Sequence, residues 1–177
     1  YGATEPILAG ATVDHDLAWR QRRFGEDNPE YLNCAMDEED FNSFVAAMQS
    51  GEDYHRELEH VDFFPPFLPL DVYASADPSR LRGGPLNPAG LEDPSEGEEP
   101  FAACRLTPVD AGETAWRIAG GRTGLAAASQ ERMWRTIPAL AGAEFIRHGA
   151  VHQAVYLQSP RVLKETLQVR KDPDLFI

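Results

Sequence analysis

Tyr31-Leu32-Asn33-Cys34-Ala35-Met36-Asp37-Glu38-Glu39-Asp40-Phe41 is where the pattern of the chain becomes readable. From Asp37 onward, Phe41, Phe44, Val45 and Met48 recur at i, i+3, i+4 and i+7, and Gly51 supplies the stop. That is the pattern of an amphipathic helix. Asp37, Glu38, Glu39 and Asp40 suit its first turn, where the helix macrodipole is positive. With Met36 or Asp37 at the helix start, Cys34 is expected in the entering loop. A thiol there feels unpaired N–H groups and the positive end of the dipole, both of which favour the thiolate. The neighbouring carboxylates oppose ionisation. Cys34 is therefore the leading candidate for nucleophilic chemistry, with a purely structural cysteine as the alternative.

The 177 residues, 42% of them apolar, suffice for one domain with a core and argue against disorder. The chain starts at Tyr1 and stops within Leu175-Phe176-Ile177, which reads as the opening of a buried strand, so a piece of a larger protein is expected. No run approaches membrane-spanning length, and no secretory signal is visible. Cys34 and Cys104 provide neither metal-ligand spacing nor a disulfide framework, which makes a reducing cytoplasm the simplest compartment. A net charge of −13 argues against a nucleic-acid module. Within it, however, arginines gather at Arg20, Arg22 and Arg23, at Arg80 and Arg82, and at Arg161 and Arg170, so a local basic face can exist on an acidic whole.

Outward from the central helix, residues 11 to 24 suggest a short helix ending near Gly25, and residues 52 to 60 a second, polar helix. The prolines of Phe63 to Leu70 impose an extended connection. Between Ser75 and Pro100, Pro and Gly recur so often that only loops and short strands fit. Phe101 to Leu106 and Thr114 to Ala119 read as a hairpin, followed by a helix from about Ser129 to Ile137 and strands at Glu144 to His148 and Val151 to Leu157. Ser159 and Pro160 open a last helix, which Asp172-Pro173-Asp174 ends. Helices and antiparallel strands mix without a βαβ rhythm, so the fold class is α+β, a mixed and largely antiparallel sheet with packed helices.

Gly120-Gly121-Arg122-Thr123-Gly124 lies between a strand and a helix, as phosphate loops do, but lacks the dinucleotide spacing and a Walker lysine. A plain turn is the simpler reading, with Arg122 still able to meet an anion. His148 and His152 flank a glycine in strand-like sequence, which is not metal-pair spacing. His152 shares a strand face with Tyr156 and could form a stacking shelf for a flat ring, or be partly buried packing. Cys104 and Trp134 read as core.

Several landmarks in order resemble the folate- and flavin-dependent tRNA uracil-5-methyltransferases called TrmFO, relatives of the GidA proteins. They are Tyr31-Leu32-Asn33-Cys34-x-Met36, Leu68-Pro69-Leu70-Asp71-Val72-Tyr73-Ala74, and Gly84-Pro85-Leu86-x-Pro88-x-Gly90-Leu91-Glu92-Asp93-Pro94. Ile137-Pro138-Ala139-Leu140, Ala143 to Gly149, Ser159-Pro160-x-x-Leu163 and Pro173-Asp174-Leu175-Phe176 continue the series. The resemblance implies an inserted domain of a Rossmann-like flavoprotein. Residues 1–25 would connect from the flavin-binding domain, 26–158 would form the insertion on the substrate and RNA side, and 159–177 would return as a helix and strand.

It further implies transfer of a one-carbon unit from methylenetetrahydrofolate to carbon 5 of a T-loop uridine in tRNA, with FAD and NAD(P)H serving the complete protein. Thiolate addition to carbon 6 would make carbon 5 nucleophilic. The family's Asn-Cys motif maps that role onto Cys34, and its pterin-stacking histidine onto His152. Pro85 and Gly90 would shape the adjoining cofactor loop, and Arg122 and Arg147 would meet RNA. No metal and no membrane is implied, and the isolated fragment is expected to be inactive.

The chain departs from the family pattern at several of these points. Ala35 stands for a proline, Asn87 for a lysine, Phe67 for a second cysteine, and Gln153-Ala154 for Arg-Asn. Two alternatives follow: a divergent paralogue that binds without catalysing, and an enzyme acting on ribosomal RNA.

Overall fold

The computed structural model describes residues 2–25, 31–52, 68–75, 77–152 and 157–177. Its frame is a six-stranded sheet in the order β3-β4-β5-β6-β2-β7. The strands are β2 (Ile7–Ala9), β3 (Ala18–Arg20), β4 (Leu32–Met36), β5 (Ala102–Pro108), β6 (Ala115–Ile118) and β7 (Phe145–Arg147), and every pairing among them is antiparallel. Outside this sheet, β1 (Gly2–Thr4) pairs with β8 (Ala150–His152), and β9 (Gln168–Val169) pairs with β10 (Asp172–Phe176). The α+β class expected from the sequence is the one observed.

The helix read from Phe41, Phe44, Val45 and Met48 is α1, Glu38–Gln49, and all four side chains are buried. Asp37 is its N-cap. The Asp37 carboxylate accepts from the Asp40 amide at 2.7 Å, and the Asp40 carboxylate accepts in return from the Asp37 amide at 3.3 Å, a reciprocal capping box. After a short α2 (Leu70–Ala74), α3 (Ala127–Trp134) packs on α1, with the Phe44 and Trp134 rings 5.2 Å apart. Together they cover one face of the sheet, burying Leu32, Cys34 and Met36 of β4 with Ala102, Cys104 and Leu106 of β5.

Several sequence expectations are corrected. Residues 11 to 24 hold no α-helix, only 3-10 turns at Gly10–Thr12 and Arg23–Gly25 with β3 between them. Trp19 and Arg20 pair with Asn33 and Leu32, so the ladder decides their conformation. Residues 7–9 and 18–20 are strands of the sheet, with β2 between β6 and β7. The last helix, α4, is only Ser159–Val162, with Gln158 as its N-cap, and the chain then turns into β9 and β10. Leu175, Phe176 and Ile177 are about half exposed, not buried. The hairpin is observed as β5 and β6, and the following helix ends at Trp134 before a 3-10 turn at Pro138–Leu140. The expected helix at 52 to 60, most of the extended connection from Phe63, and Phe67, Gln153, Ala154 and Tyr156 lie outside the described residues.

Candidate functional site

Cys34 is not in a loop. It occupies the middle of β4, hydrogen-bonded to β3 on one side and β5 on the other, directly opposite Cys104. Asn33 makes the strand hard to recognise, since a buried amide interrupts the apolar run. It is tolerated because its side-chain N–H groups donate to the carbonyls of Gln21 (2.9 Å) and Trp19 (3.4 Å). Both cysteines are free and fully buried. Burial pushes the Cys34 thiol up to about 12, and Cys104 well above its ordinary value, for the same reason. In this arrangement Cys34 packs as a small core hydrophobe.

The glycine turn is occupied by the chain's own carboxylates. The Gly120 amide donates to Glu5 at 2.8 Å, and the Gly124 amide donates to Asp71 at 3.0 Å. Arg122 forms an ion pair with Glu5 at 3.0 Å, Arg117 reaches the same carboxylate at 3.4 Å, and Arg147 donates to the Glu5 backbone carbonyl. Arg122 and Arg147 are thus brought together around Glu5. The Gly120, Gly121 and Gly124 amides are thus all bonded within the chain.

Pro85 and Gly90 have different neighbours. A Cβ on Gly120 would meet Pro85, whereas one on Gly90 would meet the Phe24 ring at 2.8 Å. Gly90 has φ of +78°, a left-handed backbone that favours glycine, and its carbonyl accepts from the Phe24 amide. His152 lies at the end of β8, opposite Gly2. The His152 side chain lies outside what the structure describes.

Two cavities of opposite charge flank β4. One, of about 360 Å³, is lined by Trp19, Met36 and Phe101 but also by Asp16, Asp37 and Asp40. Desolvation raises the Asp40 carboxyl. This lining repels an anion. The second, of about 330 Å³, is lined, among the described residues, by Gln21, Arg22, Arg23, Tyr31, Asn33 and Arg105. Sequence reading found the Arg22 and Arg23 cluster but not Arg105, whose place opposite Asn33 follows only from strand register.

A largely antiparallel sheet with helices on one face, and with Asn33 and Cys34 side by side on one of its inner strands, defines an α+β module. The chain belongs to the glucose inhibited division protein A (GidA) family, which it matches over residues 1–177. It is 38% identical over 178 residues to the methylenetetrahydrofolate–tRNA-(uracil-5-)-methyltransferase TrmFO of Moorella thermoacetica, covering 100% of this chain and 41% of that protein. The enzyme of the same name from Enterococcus faecalis is 37% identical over 177 residues, covering 99% and 41%. This chain therefore spans about two fifths of these relatives' length. A structure of Aquifex aeolicus GidA aligns with 98% of this chain and 29% of its own, at 15% identity and a TM-score of 0.46. No described helix is long and apolar enough to cross a membrane.

Proposed function

We propose that this chain is the substrate-side portion of a methylenetetrahydrofolate-dependent RNA uracil-5-methyltransferase that forms 5-methyluridine in tRNA. The observation that carries this reading is the end-to-end similarity, 38% identity across the full 177 residues, to proteins of that activity. In this reading FAD and NAD(P)H serve as redox partners in the remainder of the complete protein, which fits a glycine turn here that is closed by Glu5 and Asp71. His152, Pro85 and Gly90 border the folate side once the rest of the protein is in place.

Cys34 takes a core role in this proposal rather than that of the attacking thiolate, supported by its burial and its retained proton. The nucleophile then comes from another position of the complete protein. The test is nucleoside mass spectrometry of tRNA and ribosomal RNA from cells with and without the complete parent gene. Loss of 5-methyluridine from tRNA is expected. Loss from ribosomal RNA alone would move the activity to that substrate, and no loss from either would refute the enzyme.

A further inference from the structure

Cys34 and Cys104 are far apart in sequence, yet the register of β4 and β5 sets them directly opposite each other. Opposite residues of an antiparallel pair carry their side chains to the same face. Here it is the face covered by α1 and α3, where both thiols are wholly buried and free. The two sulfurs also sense each other, since charge on Cys34 adds to the burial that raises the Cys104 thiol.

Hydrogen bonds of the flanking residues define the kind of pair. The Ala103 amide donates to the Leu86 carbonyl at 3.1 Å, and the Arg105 carbonyl accepts from the Ala119 amide at 2.9 Å. Ala103 and Arg105 therefore turn their backbone groups away from β4, and Cys104, between them, turns its own toward Cys34. Such a hydrogen-bonded pair holds its Cα atoms about 5.5 Å apart, within the range of about 4.4 to 6.8 Å that a disulfide spans. The Cβ atoms stand about 5 to 5.5 Å apart, wider than the roughly 3.5 to 4.5 Å of a disulfide. A bond closed there pulls two ladder-bound strands together, and that strain makes it easily reduced.

We propose that Cys34 and Cys104 form a reversible modification site, a cross-strand disulfide that staples β4 to β5 when the surrounding glutathione becomes oxidised. The oxidant is a small-molecule disulfide, oxidised glutathione. One cysteine thiolate attacks it, forming a mixed disulfide and expelling one glutathione thiolate. The second cysteine thiolate attacks the protein sulfur of the mixed disulfide, forming the Cys34–Cys104 bond and expelling the other glutathione thiolate. Two protons pass from the cysteines to the departing thiolates, and two electrons from the cysteines to glutathione. Because the folded core keeps both thiols out of reach, the exchange proceeds when β4 and β5 separate locally, or before they pair during folding. This site is independent of the RNA reading and stands or falls apart from it.

The experiment holds the complete parent protein in glutathione buffers of increasing oxidised fraction, both native and during refolding from urea. Free thiols are then blocked with N-ethylmaleimide, and the protein is digested without reductant for mass spectrometry. A peptide pair joined through Cys34 and Cys104 is expected, rising with the oxidised fraction and lost on treatment with dithiothreitol. In urea, where no strand register offsets the entropy of closing the long loop, the yield should be at least about tenfold lower.

Cys104→Ala should leave Cys34 without a cross-link at the same oxidised fraction, and the wild-type peptides decide the matter should that variant not fold. Absence of the joined pair from both native and refolded protein would overturn the proposal. So would separate glutathione adducts on the two cysteines in its place, or an equal yield in urea.

Discussion

Replacing Cys34 with Ala separates a core thiol from a reacting one. The thiol's ordinary value of 9.0 rises to about 12 in the folded chain because burial penalises the charge. At pH 8 the thiolate fraction then falls from about one in ten to about one in ten thousand, a thousandfold drop before any steric protection is counted. Iodoacetamide labelling followed by peptide mass spectrometry should therefore modify Cys34 at least about a thousandfold more slowly in native protein than in urea. Truncation to Ala removes about one methyl-sized group from a packed site, so a loss of about 1 kcal/mol is expected by denaturant titration.

The complete protein carrying Cys34→Ala should still methylate RNA. Native labelling within about tenfold of the unfolded rate would refute the burial argument, since access and ionisation would both have to be present. So would an inactive variant of unchanged stability.

The same thiol makes a prediction about alkaline pH. Between 9.0 and about 12 the folded state keeps a proton that the unfolded state releases, so this contribution to stability is full below pH 9 and is lost as pH rises toward 12. The difference in slope between wild type and Cys34→Ala should be about 1.4 kcal/mol per pH unit in that window, read from urea midpoints. Asp37→Ala removes the half of the α1 capping box in which the Asp37 carboxylate accepts from the Asp40 amide and should cost about 1 kcal/mol, seen as a lower Tm. Gly90→Ala places a Cβ at positive φ and against Phe24, and should cost about 1 to 2 kcal/mol by the same measurement. Glu5→Gln weakens the ion pairs to Arg117 and Arg122 and should cost about 2 kcal/mol, with faster amide exchange at Gly120. Unchanged exchange there would show that the Glu5 carboxylate does not hold the turn.

Local signals made part of this structure legible in sequence. The helix at Phe41 announced itself because a 3.6-residue period, an acidic first turn and a glycine stop agree. The β5–β6 hairpin did so through two strand-like runs around a turn. β3 and β4 were missed because Trp19, Asn33 and Ala35 break the alternation of a half-buried strand. β4 sits inside the sheet and is buried on both faces at Asn33 and Cys34, where register rather than pattern decides.

The candidate site suffered from the same limit. Cys34 read as part of the loop entering a helix because a helix start lies nearby, yet strand pairing carries it into the core. Arg105 looked like one arginine in an apolar run, and only the pairing of β4 with β5 sets it beside Arg22 and Arg23. The role of Glu5 in closing the glycine turn involves a partner 115 residues away, beyond any local motif.

The place of β2 governs when this molecule can come into being. A strand made of residues 7 to 9 lies between partners at residues 115 to 118 and 145 to 147, and Thr12 receives the amide of Glu144 across 132 residues. During synthesis the β4–β5–β6 portion can assemble once residue 118 has left the ribosome, but the sheet stays one strand short on that side until β2 returns to join it, and β7 can add only after residue 147 emerges. In that interval the hydrogen-bonding edge of β6 is open to whatever other strand is near. Deleting residues 7 to 9 would therefore detach β7 from the sheet and leave the edge of β6 permanently uncovered.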